Sequence, residues 1–537
     1  VLISLALGLG LALAVTWLLG AGARQVTLAQ SGSGIIRVVP TGEDVTGCGS
    51  AVSPCRTVQF AVDEALPGEE IRVATGVYSD VHMRAGITQV VYISKPVTVR
   101  GGYAADDWAT SDPEANPTTL DAQGQGRVVV VSDTTGVALE GLGITGGDGE
   151  RLGAGPQGYD AGGGVYAYNA LSLTVRGCDV YSNSARTVEN CCGYGGGLYL
   201  RSSDHAVLED NTIRHNWGNQ AGHGSGGGLY VDRSHHVVLR NNAIHDNVAT
   251  RSNGLGGGLY GTDCDYVVID GNVFRGNFAS VGADARGGGL SLEYAHHARV
   301  TNNVIQDNVA SKWNWGYGGG MYIDGGIDVR LEDNLVVGNA TSSNPASTGY
   351  AGGGLYLEWS DATLVNTVVA DNWANTRGSG AYVLNRGPRF LHTTLARNSG
   401  GDGSAFYVDS SGDNSSSVFL TNTIVFSHAV GVTVTAGNTA TLNATLWHAN
   451  TTKGGGAGTV NSVNDHLADP AFASDGYHLT GNSAAIDAGV EAGVDADIDG
   501  DPRPLRAGYD IGADEFLQRI YLPLVLRSLE GLVMGNR

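Results

Sequence analysis

Near the C-terminus four aspartates alternate with other residues in "DADIDGD": Asp495, Asp497, Asp499 and Asp501, with Gly500 at the bend. Hard carboxylate oxygens at alternate positions before a glycine are the first half of a calcium loop. Position twelve of that frame is Arg506, and Pro502 and Pro504 interrupt the backbone, so a complete EF-hand is excluded. The expectation is a partial Ca²⁺ site, completed by Asp510 or Asp514, with a solvated acidic turn as the alternative. A second set of residues suits a different ligand. Trp217, Phe278, Trp313, Trp315, Tyr317 and Tyr350 lie among His223, Arg251, Arg286 and Lys312 in segments whose sequence varies. Flat apolar rings beside polar groups match the alternating faces of a sugar chain, so Trp217, Phe278, Trp313, Trp315 and Tyr317 are candidate carbohydrate-binding residues. The same rings can instead pack down on the structure beneath them.

Composition narrows the partners. A net charge of -22 and a pI near 4.9 exclude a nucleic-acid binder, which needs clustered Lys and Arg. The apolar run Leu2 to Leu19, followed by Ala21-Gly22-Ala23, reads as a signal peptide or N-terminal anchor over residues 1–30, so the remainder is expected to be secreted or displayed on the cell surface. In an exported chain six cysteines favour disulfides over metal sites. Cys48 and Cys55 are close enough to form one bridge, while the pairing of Cys178, Cys191, Cys192 and Cys264 stays open.

The elements that must position these residues come from a repeat. "GGGVY" from Gly162, "GGGLY" from Gly195, Gly226, Gly256 and Gly352, "GGGLS" from Gly287 and "GGGMY" from Gly318 recur, mostly at 30 to 33 residues. A second motif, [VIFL]-x-x-N, keeps step and ends at Asn183, Asn216, Asn247, Asn277, Asn308, Asn339, Asn372 and Asn398. The unit from Gly226 holds three short apolar runs, "LYV", "VVL" and "AIH", with polar corners and no helical period. With 83 glycines against it, a helical fold is disfavoured, and the pattern predicts an all-β right-handed parallel β-helix of three strands per coil and about 30 residues per repeat. A further column, Asn211, Asn242, Asn272, Asn303, Asn334, Asn366 and Asn422, is expected to stack amide on amide.

These paired motifs resemble the β-helix repeats of bacterial surface proteins. The GGG and FxxN form, as in "FRGN" at Phe274 to Asn277, is similar to that of polymorphic outer-membrane adhesins over roughly residues 120–450. Near the N-terminus Val58, Ala61, Val62 and Ala65 have helical spacing, with Thr57 as N-cap and Gly68 as stop, and resemble the cap of pectate-lyase-like β-helices. Ala485 to Phe516 resembles the segment called a choice-of-anchor Q domain in secreted β-helix proteins. The expected order is a leader (1–30), a cap with the first coils (31–120), a repeat domain (121–450), an acidic anchor-type segment (451–516) and a tail (517–537).

The motifs of enzymes of the pectate-lyase-like superfamily are incomplete in this sequence. Gly222-His223-Gly224 matches one polygalacturonase motif, but the Asn-Thr-Asp and Arg-Ile-Lys motifs are absent and Asp106-Asp107 lies far upstream. The Trp-Ile-Asp-His segment of pectate lyases is missing too. The resemblance therefore implies polysaccharide binding or adhesion at the cell envelope, with a polysaccharide lyase or glycoside hydrolase as the alternative.

Overall fold

The computed structural model describes residues 34–153, 155, 158–187, 191–347 and 350–517. The leader or anchor expected over residues 1–30 lies outside the described residues, as does nearly all of the C-terminal tail. The architecture is a right-handed parallel β-helix whose strands form sheets of 27, 14, 6 and 5 strands.

One coil shows how the sequence makes the turn. From Gly226 the chain runs through strands Leu229–Asp232, Val238–Arg240, Ala243–His245, Val248–Thr250 and Gly254–Leu255. The first three are the expected runs. The last two are an addition, because the variable corner also hydrogen-bonds in parallel to the equivalent stretch one coil on. Gly226 opens the coil at φ +63°, where a Cβ would collide with the Leu229 carbonyl oxygen. Only glycine relieves both constraints.

Residues stack one for one. Leu198, Leu229, Leu259, Leu290 and Met321 succeed one another at a single inward position, and Leu208, Leu239, Ile269, Val300 and Leu331 at another. All ten are at most 1% exposed, so each coil completes its core only with its neighbours. At the lower end the helix Val58–Glu64 covers the first coil, with Thr57 Oγ1 accepting from Phe60 N–H. It stops at Glu64, short of Gly68, because Pro67 pushes the residues before it into extended conformation. Cys48 and Cys55 are joined by a disulfide. Cys191 bonds to its neighbour Cys192, while Cys178 and Cys264 are free and buried.

The asparagines close the corners. Asn247 Oδ1 accepts from both Asn216 N–H and Asn216 Nδ2 at 3.0 Å, and Asn216 Nδ2 also donates to the Val180 carbonyl at 2.8 Å. Asn277, Asn308, Asn339, Asn372 and Asn398 repeat the pattern. The second column runs from Asn211 to Asn334 in the same way. Asn366 and Asn422 do not continue it: both have left-handed backbone at φ +46° and +53°, one residue before the ladder position, which Thr367 and Thr423 occupy. Their amides instead hold the C-terminal segment. Asn366 Nδ2 donates to Ala496 O, and Asn422 exchanges two hydrogen bonds with Val490.

That segment folds back on the repeats with little regular structure. Ile511 packs with Ile424 and Leu446, and Ala513 packs with Val368, Ala370 and Ala396. Substituting Asn277 by Ala leaves the buried Asn247 backbone N–H unpaired and removes one of the two acceptors of Asn247 Nδ2, which keeps the Ile213 carbonyl, and denaturant unfolding should register a loss of about 1–3 kcal/mol for the donor left unpaired.

Candidate functional site

The variable corner builds a trough along the axis of the coils. A hollow of about 440 Å³ is lined by Tyr194, His223, Asp284, Arg286, Trp315 and Tyr317, among others. A second, of about 380 Å³, shares Tyr317 and continues past Tyr350, Tyr356, Arg377 and Tyr382. With about 4.8 Å per coil, the lining from Tyr194 to Arg377 extends on the order of 30 Å. Tyr350 stacks on Tyr317 at 4.8 Å and takes the edge of Trp315 at 4.9 Å.

The five expected aromatics do not share one surface. Trp315 and Tyr317 line the trough. Trp217 and Phe278 sit in the separate five-stranded sheet, in register with Val248 and Val309, and Trp217 lies under Arg251. Trp313 is 58% exposed, with Lys312 Nζ 5.7 Å from its ring centre. His223 is exposed on the trough wall, and Gly224 follows it because a Cβ there would meet the Ala249 carbonyl. The Gly-His-Gly glycines thus serve close packing.

Beneath the trough stands a column of tyrosines on the outer face of the 14-stranded sheet. Tyr166, Tyr199, Tyr230 and Tyr260 occupy one register position, and Tyr322, Tyr356, Tyr382 and Tyr407 continue it. Between them Ser291 breaks the column, fully buried and with its Oγ making no hydrogen bond. Arg286 lies at the break, its guanidinium 5.3 Å from the Tyr322 ring centre. Two residues beyond the tyrosine position, Glu293, Asp324 and Glu358 follow one another on successive coils. Tyr260 donates to Glu293 at 2.8 Å and Tyr322 to Glu358 at 2.7 Å. Glu293 Oε1 makes no hydrogen bond and faces Arg286 Nη1 at 3.6 Å. Burial, then the Glu358 and Glu293 charges, push the Asp324 carboxyl up to about 6. The acidic column is written in the sequence as GGG-x-[YS]-x-[DE] in "GGGLSLE", "GGGMYID" and "GGGLYLE", but single residues inside a repeat do not reveal that Arg286 of the variable corner reaches it.

The acidic run is divided. Asp495 is exposed, and Asp497 is buried with Oδ1 accepting from the Asp499 and Asp501 N–H groups and Oδ2 from Glu515 N–H. Asp499 is brought instead to His478 and Asp514, their ligating atoms within 4.8 Å of one another. Elsewhere, His205, His236, Tyr266 and His297 form a stacked column, with neighbouring rings 4.7–4.9 Å apart, rather than a converging ligand set.

Protonation of the Asp324 carboxyl is coupled to folding. The native state holds this proton up to about pH 6 and the unfolded chain only to about pH 4. The carboxyl therefore lowers stability as pH rises through that window. Asp324→Asn should be more stable than the parent at pH 7, with the advantage gone by pH 4, as read by denaturant midpoints across that range.

A protein-family comparison agrees with this architecture. Residues 123–372 match the family model described as a right handed beta helix region. No curated protein matches the chain. Solved structures similar to it include the pectate lyase Pel9A, 12% identical with a TM-score of 0.38, covering 90% of this chain and 96% of that one. XylC in complex with xylose is 10% identical with a TM-score of 0.40, covering 90% and 99%. The periplasmic alginate epimerase AlgG is 10% identical with a TM-score of 0.37, covering 72% and 79%.

Proposed function

We propose that the trough binds an extended polysaccharide outside the cytoplasm, in an adhesive or cell-surface role. The observation that carries this reading is the alternation of ring faces with polar groups along one continuous furrow: Tyr194, Trp315, Tyr317 and Tyr350 interleaved with His223, Arg286 and Arg377. Rings receive the apolar faces of sugars and the polar groups receive hydroxyl or carboxyl substituents. The Cys48–Cys55 disulfide supports an oxidising compartment. The resemblance of Ala485 to Phe516 to an anchor-type segment is the basis for attachment to the envelope.

A second reading, cleavage of the bound chain, is favoured by the Arg286, Glu293, Asp324 and Glu358 cluster. Coils about 4.8 Å apart permit the carboxyl separation of about 5–5.5 Å used by retaining glycosidases. A carboxyl that keeps its proton to about pH 6 suits a general acid. Arg286, which belongs both to the trough wall and to the cluster, would hold the chain above these carboxyls.

A polysaccharide panel, read by affinity electrophoresis and by reducing-end and unsaturated-product release, tests both readings. Trp315→Ala and Tyr317→Ala should each weaken binding at least tenfold, while Trp217→Ala and Phe278→Ala leave it unchanged. Unaltered binding in the first pair would remove the trough from consideration. On the cleavage reading, Asp324→Asn keeps binding and abolishes product; no product from the parent chain limits the protein to binding.

A further inference from the structure

The C-terminal segment assembles an imidazole and two carboxylates from three stretches distant in sequence. His478 lies in the turn after Asp475, Asp499 in the acidic run, and Asp514 in the irregular stretch that follows Ile511. One ligating atom from each falls within 4.8 Å of the others, at the mouth of a hollow of about 370 Å³. Bonds of about 2.0–2.2 Å from nitrogen and oxygen to a tetrahedral zinc-type ion place the donor atoms about 3.3–3.6 Å apart, so movement on the order of 1 Å closes the set.

The surroundings orient each donor. Asp475 Oδ1 accepts from the Tyr477 and His478 N–H groups at 3.1 Å, and its Oδ2 takes His478 Nδ1 at 2.7 Å. That carboxylate fixes the ring and turns Nε2 toward the other two residues, as the outer carboxylate of a carboxylate–histidine–metal triad does. Nε2 is shielded from solvent and makes no hydrogen bond, although Asp499 Oδ2 lies 3.1 Å away. A polar atom sealed in this way, close to a carboxylate yet misaligned with it, points at a shared centre rather than at its neighbour. Asp514 is buried and accepts from Leu479 N–H at 2.6 Å, which sets the direction of its carboxylate. Asp497 and Asp501 add negative charge nearby, while the buried Arg503 is committed to Glu515 at 2.8 Å. The surplus is anionic.

We infer that His478, Asp499 and Asp514 bind one divalent transition-metal ion of the zinc type, oriented by Asp475. Mixed imidazole and carboxylate donors select this class, whereas Ca²⁺ takes six to eight oxygens. The ion ties three stretches of a segment that otherwise has few backbone ladders, and it acts as a clamp holding that segment together against the coils. This inference is independent of the sugar-binding reading.

Calorimetric titration of the intact chain, stripped with EDTA, with Zn²⁺ and then with Ca²⁺ tests it. The expected result is one Zn²⁺ per chain bound at a site weakened at least tenfold by both His478→Ala and Asp499→Asn, and unchanged in Asp495→Asn. Asp499 is exposed, so its variant keeps the fold should the histidine variant lose it. Zn²⁺ should also raise the thermal midpoint of the parent and not of Asp499→Asn. Absence of Zn²⁺ binding, or equal affinity in Asp499→Asn and the parent, overturns the inference. So does a Ca²⁺ site tighter than the Zn²⁺ site and indifferent to His478→Ala, which would return the acidic run to an all-oxygen site.

Discussion

A coil of this protein has no interior of its own, and the stacking of each coil on the next is the constraint from which the remaining features follow. The inward leucines, isoleucines and valines of one coil are sealed only by the same positions above and below. The corners pose the harder problem, because each bend leaves backbone donors and acceptors inside the protein. The asparagine ladders solve it: each amide oxygen accepts two bonds from one neighbouring coil, and each amide nitrogen donates in both directions. Strict register is thereby enforced, since a slip of one residue would break both the core and the ladder.

Register explains the composition of the outer surface. Once strands stack one for one, any residue type held at one position becomes a line parallel to the axis. Tyrosine at that position gives a floor of rings on either side of Ser291, and an acid two residues later on three successive coils gives a line of carboxylates that tyrosine hydroxyls support. A departure at one coil then acquires local meaning. Ser291 in place of tyrosine breaks the floor where Arg286 meets Glu293, so a cluster of charged groups gathers at a fault in the repeat.

The end of the stack imposes a different demand. The C-terminal stretch lies along the flank of the last repeats, where it hydrogen-bonds to Asn366, Asn422 and Thr394. It carries its own internal frame: the buried Arg503–Glu515 pair, and Asp497 receiving three backbone N–H groups. The buried pair is held by further hydrogen bonds on both sides: Arg503 Nη2 donates to the Gly512 carbonyl, and Glu515 accepts from the Leu505 and Asp510 N–H groups. The acidic character of the segment is therefore partly architectural.

The sequence by itself made the repeat, its period, the three apolar runs, the helical cap and the asparagine ladder from Asn211 to Asn334 legible, because each rests on local spacing preserved from coil to coil. It misplaced Asn366 and Asn422 by one residue, since an asparagine suits a left-handed bend as well as a ladder. It grouped Trp217 and Phe278 with Trp315 and Tyr317, because proximity in a variable loop says nothing of which sheet each strand joins. Only the tertiary structure decided that Arg286 faces three stacked acids and that Asp499 meets His478 and Asp514. Those neighbours are set by which coil lies above which and by how the end of the chain folds back, and such contacts across tens of residues leave no period in the sequence.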